Sequence, residues 1–335
     1  MYKTKNKQTW LAKALLMASC LIVTTNVMAK DPRRPECIAP STPGGGFDTT
    51  CKFAQIGFKE AKLLRAPIRT TFMPGGIGAV AFNAITANRP AEGGTIVAFS
   101  SGSLLNMAQG KYGSKFDEND VRWLANVGVD YGMFVVRQDS PFENFEQLIS
   151  QLKADPQSVV LGAGGTVGSQ SWTQAALLAR AAGIRPEDLR YVGFQGGGEP
   201  YTALEGKHID VVPGRISDVL QQIEAGQFRV LAVLSETRLD GLLADIPTAK
   251  EQGFDLQWPV IRGFYMGANV SDEEFDWWKQ RFQTLLDSEI AQKLYQQLGL
   301  YPLPLVGDDL TTFVNQQMAQ YRELAEDLGL NVVQN

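Results

Sequence analysis

Histidine is all but missing from this chain of 335 residues; His208 is the only one. It stands in "EGKHIDV", at the approach to a strand, where a lone histidine reads as a surface or packing residue. Cysteine is scarce too, with three residues. A zinc site built from several His or Cys ligands is therefore unavailable, and a Ser-His-Asp or Cys-His machine would have to run through His208. No G-x-S-x-G elbow exists and no G-x-x-x-x-G-K-[ST] loop. Gly162, Gly164 and Gly168 approach a dinucleotide fingerprint but miss its third-glycine spacing. Neighbouring acids such as Glu187 and Asp188 read as a solvated helix start. Basic charge is in deficit: 31 Lys and Arg against 36 Asp and Glu, a formal charge of −5. A chain this acidic is a poor partner for nucleic acid. These absences leave no catalytic set to name and no metal or cofactor to expect.

Long apolar runs are also lacking, with one exception at the start. Lys3, Lys5, Lys7 and Lys13 precede "ALLMASCLIVTTNVMA", which ends in Val27-Met28-Ala29. A basic start, a short apolar run and small residues at its end read as a secretory signal peptide over residues 1–29, cleaved after about Ala29. Thr24, Thr25 and Asn26 interrupt the run, which argues against a retained membrane span. A lipoprotein would use Cys20, but the apolar run continues past it. Without the leader the formal charge becomes −9, because four lysines and no acids leave with it. Cys20 leaves as well. In an exported chain the two remaining cysteines, Cys37 and Cys51, are expected to pair; the alternative is two buried thiols. So short a loop would gain about 3 kcal/mol at most from the bond.

Glycine is plentiful, at 33 residues, and it is concentrated. Short β-branched or aromatic runs lead repeatedly into glycine-rich loops and then into helical patterns. "ECIA" runs into "PGGGFD", "IRTTFM" into "PGGIGA", "TIVAFS" into "SGSLLN", "SVVL" into "GAGGTVGS", "LRYVGF" into "QGGGEP", and "HIDVV" into "PGRISD". Strands alternating with helices predict an α/β fold with mostly parallel sheets flanked by helices. Loops at the carboxyl ends of such strands are where open α/β sheets bind ligands. The last third is helical. Ser271 and Glu274 form a capping-box pair, Phe275, Trp278, Phe282 and Leu285 keep helical spacing, and a second helix runs from Leu310 to Leu328. These stripes read as core.

A glycine loop entering a helix presents unpaired N–H groups at the positive end of the helix dipole, a site for anions that needs no lysine or arginine. In "PGGGFDTTCK" the helix is expected to start near Asp48, with the carboxylate as its cap or free for ligand hydroxyls and waters. Phe47 would offer an aromatic face above the loop. Thr166 and Ser169 add hydroxyls in "GGTVGSQSW", and "QGGGEP" supplies a third loop. Each loop taken alone also reads as a tight β-α turn.

Taken together, "APSTPGGGFD", "MPGGIGAVAFNAI", "GAGGTVGSQSW", "VGFQGGGEP" and "RVLAVLSETRLDGLLADIPTAKEQGFDLQWPVIRGFY" resemble the substrate-binding receptors of tripartite tricarboxylate transporters, most nearly the tricarboxylate-binding members. The resemblance implies a two-lobe periplasmic binding protein, type II-like, with residues 30–130 and 258–335 in the first lobe and 131–257 in the second. It implies a monomer in the periplasm that binds a small organic acid anion, citrate first, and delivers it to membrane permease subunits. In that family the loop at Gly44, Gly45, Gly46, Phe47 and Asp48 and the loop at Gly165, Thr166, Gly168 and Ser169 hold a ligand carboxylate. Ser101, Ser103, Gly196 and Gly197 join the candidate ligand-binding set. Arg215 and Arg262 would either grip a further carboxylate or form structural ion pairs, and Tyr131 would either donate a hydroxyl bond or pack at the hinge. The competing readings are a receptor for a dicarboxylate or other organic acid, a sensor-side binding protein, and an exported enzyme acting on an organic acid.

Overall fold

The computed structural model describes residues 31–330 except Ser114 and residues 195–197, and it gives no side-chain placement for Ile77. The predicted leader, residues 1–29, and the candidates Gly196 and Gly197 lie outside the described residues. Strands and helices alternate as the glycine punctuation predicts. β1 (Glu36–Ala39), β2 (Arg69–Phe72) and β3 (Thr95–Ser100) are joined by α1 (Gly46–Glu60) and α2 (Ala79–Asn88), and α3 (Ser101–Ala108) follows β3 directly. Crossings through helices make β1 parallel to both β2 and β3.

One strand then does two jobs. β4 (Val121–Arg137) is 17 residues long. Its first part pairs antiparallel with β9 (Pro259–Gly267) and with β10 (Leu305–Val306). Its last part pairs antiparallel with β7 (Val212–Arg215) and β8 (Phe228–Val233). The change of partners falls between Tyr131, opposite Pro259, and Gly132, opposite Arg215. The first lobe thus has strand order β10-β4-β9-β3-β1-β2. The second is built on β4 with β7 and β8, and adds β5 (Val160–Gly164) parallel to β6 (Arg190–Phe194). β5 joins the approach to β7 through a parallel bridge, Leu161 to Val211. β7 starts later than "HIDVV" suggests; Ile209 and Val211 lead into it, and the regular strand carries Pro213-Gly214-Arg215. The helices of this half are α4 (Phe145–Ala154), α5 (Gln170–Ala182), α6 (Glu199–Glu205) and α7 (Ile216–Glu224).

After β9 the chain returns to the first lobe as α8 (Asp272–Leu286), α9 (Glu289–Leu298) and α10 (Asp308–Asp327). The Ser271 hydroxyl accepts the Glu274 N–H at 3.3 Å, the N-cap half of the expected capping box, and the Glu274 carboxylate accepts from the Ser271 hydroxyl at 2.7 Å in place of the Ser271 backbone N–H. Trp278 is fully buried, donates its indole N–H to the Gly93 carbonyl at 2.7 Å, and stands beside Phe58 and Phe282. Side chains of that size contribute about 1.5–3 kcal/mol each by leaving water.

Cys37 on β1 and Cys51 on α1 are both fully buried and joined as a disulfide. The bond ties the strand before the first glycine loop to the helix after it. Replacing both by serine should lower unfolding stability by about 2–3 kcal/mol and the thermal midpoint by roughly 3–5 °C, read by scanning calorimetry, with the far-UV spectrum unchanged.

Candidate functional site

Three helices begin at the carboxyl ends of parallel strands; the first turns of α3 and α5 touch, and that of α1 lies against Arg262 of β9. α1 follows β1 through the Ser41–Gly45 loop. Gly44 has φ +86°, a left-handed conformation that glycine adopts without strain. The helix begins earlier than expected: Gly45 is its N-cap and Asp48 is its third residue, so Asp48 is not the cap itself. Instead its carboxylate reaches back to accept the Gly44 N–H at 2.7 Å, and Lys52 one turn on holds the same oxygen at 2.9 Å. Asp48 and Phe47 are buried. The N–H groups of Gly45, Gly46 and Phe47 have no acceptor among the described residues.

α3 starts one strand away. The Ser103 hydroxyl accepts the Ser100 N–H at 3.3 Å. Ser101 is 1 % exposed; its hydroxyl accepts the Ile261 N–H at 3.0 Å and donates to the Pro259 carbonyl at 3.3 Å, which fixes α3 to β9. Both serine hydroxyls therefore serve the fold, while the backbone N–H groups of Ser101 and Gly102 have no acceptor among the described residues.

α5 starts in the second lobe. The Ser169 hydroxyl caps it by accepting the Trp172 N–H at 3.2 Å. The Gly165 N–H is used by the Phe194 carbonyl at 2.8 Å. Those of Thr166, Val167 and Gly168 have no acceptor among the described residues, and Thr166 is exposed. The lobes meet here. Gln109 and Lys111, just past α3, donate to the Gly168 carbonyl at 3.0 and 3.2 Å. The Gln170 carboxamide oxygen lies 2.6 Å from where a side chain on Gly102 would begin. The positive ends of α3 and α5 thus meet in one interlobe region, and that of α1 neighbours it through Arg262, which lies against Gly46 and opposite Ser100 in the β3–β9 ladder; each is worth about 0.3–1 kcal/mol towards an anion at the surface and more when partly buried.

The two arginines lie deeper. Arg262, on β9, is 1 % exposed and donates to Asp130 at 2.8 Å; Asp130 has no exposed surface. Burial pulls the Arg262 pKa down, and Asp130 is the main group opposing it. Arg215 pairs with Asp218 through two nitrogens at 2.8–3.1 Å. Burial works against its charge too, but the acids Asp218 and Asp130 together outweigh burial and raise the pKa. Each arginine thus has an acid partner, Arg262 in Asp130 and Arg215 in Asp218. Tyr131 stands edge-on to Tyr301 with ring centres 5.7 Å apart, and burial raises its pKa. A largely apolar cavity of 330 Å³, between Leu220 of α7 and Tyr295 of α9, is lined by none of the glycine-loop residues.

Several neighbours of these loops were not singled out from sequence: Gln109, Lys111, Gln170, Asp130 and Ser217. One carried a signal. Asp130 is an acid inside the apolar run "VGVDYGMFVV", and a charge in a buried strand requires a partner.

Residues 59–330 match the model of the tripartite tricarboxylate transporter family receptor. The chain belongs to that family. It is a receptor and not an enzyme, which removes the exported-enzyme reading. Among curated relatives, a UPF0065 protein of Bordetella pertussis is 23 % identical over 302 residues, covering 89 % of this chain and 91 % of that one. Among solved structures, the periplasmic binding protein BugD superposes with TM-score 0.78 at 21 % identity, over 90 % of this chain and 99 % of that one. MatC of Rhodopseudomonas palustris with bound malate gives 0.73 at 19 % identity, over 87 % and 98 %. These likenesses identify the fold as the two-domain α/β fold of periplasmic binding proteins, as the sequence predicts.

Asp48→Ala should lower stability by about 1 kcal/mol, because the Gly44 N–H loses its acceptor, while Asp48→Asn, which keeps an oxygen in place, should lose less; chemical denaturation measures both.

Proposed function

We propose that the chain is a periplasmic receptor that captures a small di- or tricarboxylate, citrate first, and delivers it to the permease of a tripartite tricarboxylate transporter. The observation that carries this reading is the set of unpaired N–H groups at the first turns of α1, α3 and α5, those of α3 and α5 where the two lobes touch and that of α1 against Arg262 beside them. Backbone dipoles explain how a chain of formal charge −5 can take an anion without exposed arginines in the site. The malate bound by MatC, a chain of the same fold, agrees with a small hydroxy acid as ligand.

In this reading Gly44, Gly45, Gly46, Phe47 and Asp48 form the first-lobe anchor, and Gly165, Thr166, Gly168 and Ser169 the second. Ser101 and Ser103 hold α3 in place, and Tyr131 packs beside the hinge. Residues 30–130 with 258–335 move as one lobe and 131–257 as the other, because β4 changes partners after Tyr131 and the chain re-enters the first sheet at Pro259. Closing excludes water from the anchors and strengthens each hydrogen bond to the ligand. The protein acts as a monomer, exported by the leader at residues 1–29. No helix among the described residues is long and apolar enough to cross a membrane, so membrane delivery falls to the permease.

Calorimetry tests the reading. Protein stripped of carried-over ligand by unfolding and refolding is titrated with citrate, isocitrate, tricarballylate, succinate, malate, glutamate and an aromatic acid. Saturable binding of citrate, tighter than succinate, is the expected result, and Asp48→Ala should weaken it about tenfold, the equivalent of one lost hydrogen bond. Binding of malate or succinate without citrate would keep the receptor and discard the tricarboxylate. Silence across the panel would overturn the carboxylate assignment.

A further inference from the structure

The ion pair between β9 and β4 reaches beyond its own two residues. Asp130 accepts from Arg262 at 2.8 Å, and it also accepts the Ser217 hydroxyl at 2.6 Å and the Ser217 N–H at 3.3 Å. Ser217 is the second residue of α7, so Asp130 places a carboxylate at that helix's positive end. α7 belongs to the second lobe. Asp130 therefore binds one group from each lobe with a single carboxylate. The packing around it is close: a side chain on Gly299, of the first lobe, would begin 3.3 Å from the Ser217 α-carbon.

The same guanidinium also lies against the first turn of α1. A side chain on Gly46 would meet the Arg262 guanidinium, whose central carbon stands 2.6 Å from the position of its first atom. Glycine at position 46 is thus required by the guanidinium and not by the helix. Gly46 carries one of the unpaired N–H groups of the first turn of α1. Arg262 Nε is buried and has no hydrogen-bond partner among the described residues. Asp130 and, more weakly, Asp218 favour its charge, while burial and Arg215 oppose it. Its charge is thus incompletely balanced, and it sits against α1.

We propose that Arg262 is a positioning residue for carboxylate capture: it seats the first turn of α1 with a buried positive charge behind the unpaired N–H groups, and through Asp130 and Ser217 it ties occupancy of that turn to the seating of the second lobe. The inference rests on the receptor reading above. Arg262 does not touch the ligand in this account. An anion at the first turn gains from a charge held in a low-dielectric setting, and Asp130 keeps that charge aimed while holding α7. Lysine at position 262 would keep the charge but not the planar guanidinium that reaches both Asp130 and Gly46.

The test uses protein purified from cells expressing the full chain, with citrate and malate as probes, and the variants Ser217→Ala, Arg262→Lys, Gly46→Ala and the last two combined. Each is measured by calorimetry, dissociation rate, thermal unfolding and small-angle scattering with and without probe. Ser217→Ala should fold as the wild type does, bind the probe about 5-fold more weakly through faster dissociation, and compact less on binding. Gly46→Ala and Arg262→Lys should each weaken binding, and the double variant should lose less than the product of the two, because both disturb one contact. Ser217→Ala with wild-type affinity and compaction overturns the proposal, as does full multiplication in the double variant. Should Gly46→Ala or Arg262→Lys fail to fold, Ser217→Ala alone decides. A wild-type protein that binds neither probe nor any acid of the panel overturns the receptor reading itself, an outcome separable from the loss of the relay alone.

Discussion

A carboxylate and a guanidinium withdrawn from water cost several kcal/mol each in lost hydration, and only close pairing with well-made hydrogen bonds offsets that cost. Asp130 and Arg262 pair at 2.8 Å where the two crossing strands lie side by side, and the buried Arg262 Nε without a partner among the described residues leaves part of that cost uncovered. Removing either partner would leave an uncompensated charge in the middle of the molecule. The position of the pair constrains much else: the glycine at 46, the start of α7 at Ser217, and the way β4 can change from one set of strand partners to the other.

The candidate site is built on a different principle. It is made of main-chain N–H groups, and the side chains around it mostly hold the backbone in shape. Asp48 pins Gly44, Ser169 caps α5, and Ser101 and Ser103 fasten α3. The disulfide holds the strand and helix on either side of the first loop. A loop already ordered loses little further entropy when a ligand arrives, so bracing and binding are one design. The interlobe bonds from Gln109 and Lys111 to the Gly168 carbonyl show that the second loop has a place to seat against the first lobe.

Much of the fold was legible because its signals are local. A strand, a glycine-dense turn and a capped helix each occupy a few consecutive residues, and the aromatic stripe of α8 repeats at helical spacing. The start of α1 was misplaced by a few residues because an aspartate near a helix start reads as a cap, whereas Asp48 does its work from the third helical position. β7 was displaced for a similar reason: "HIDVV" has strand composition, yet the regular ladder with β4 begins at Val212. Neither error moved an element to another place in the fold.

The sequence by itself determined the export-type leader as an expectation, the alternation of strands and helices, the two cysteines free to pair, and the glycine loops that suit an anion. Those features depend on composition and on spacing within a few turns of chain. Only the tertiary structure decided which acids pair with Arg215 and Arg262. Arg262 meets an acid 132 residues away, and that acid meets Ser217 at a separation of 87. Contacts over such distances are set by which strands lie together, and no local pattern encodes them. The same holds for the nearness of three helix ends, because a positive dipole becomes a binding site only when folding brings others beside it.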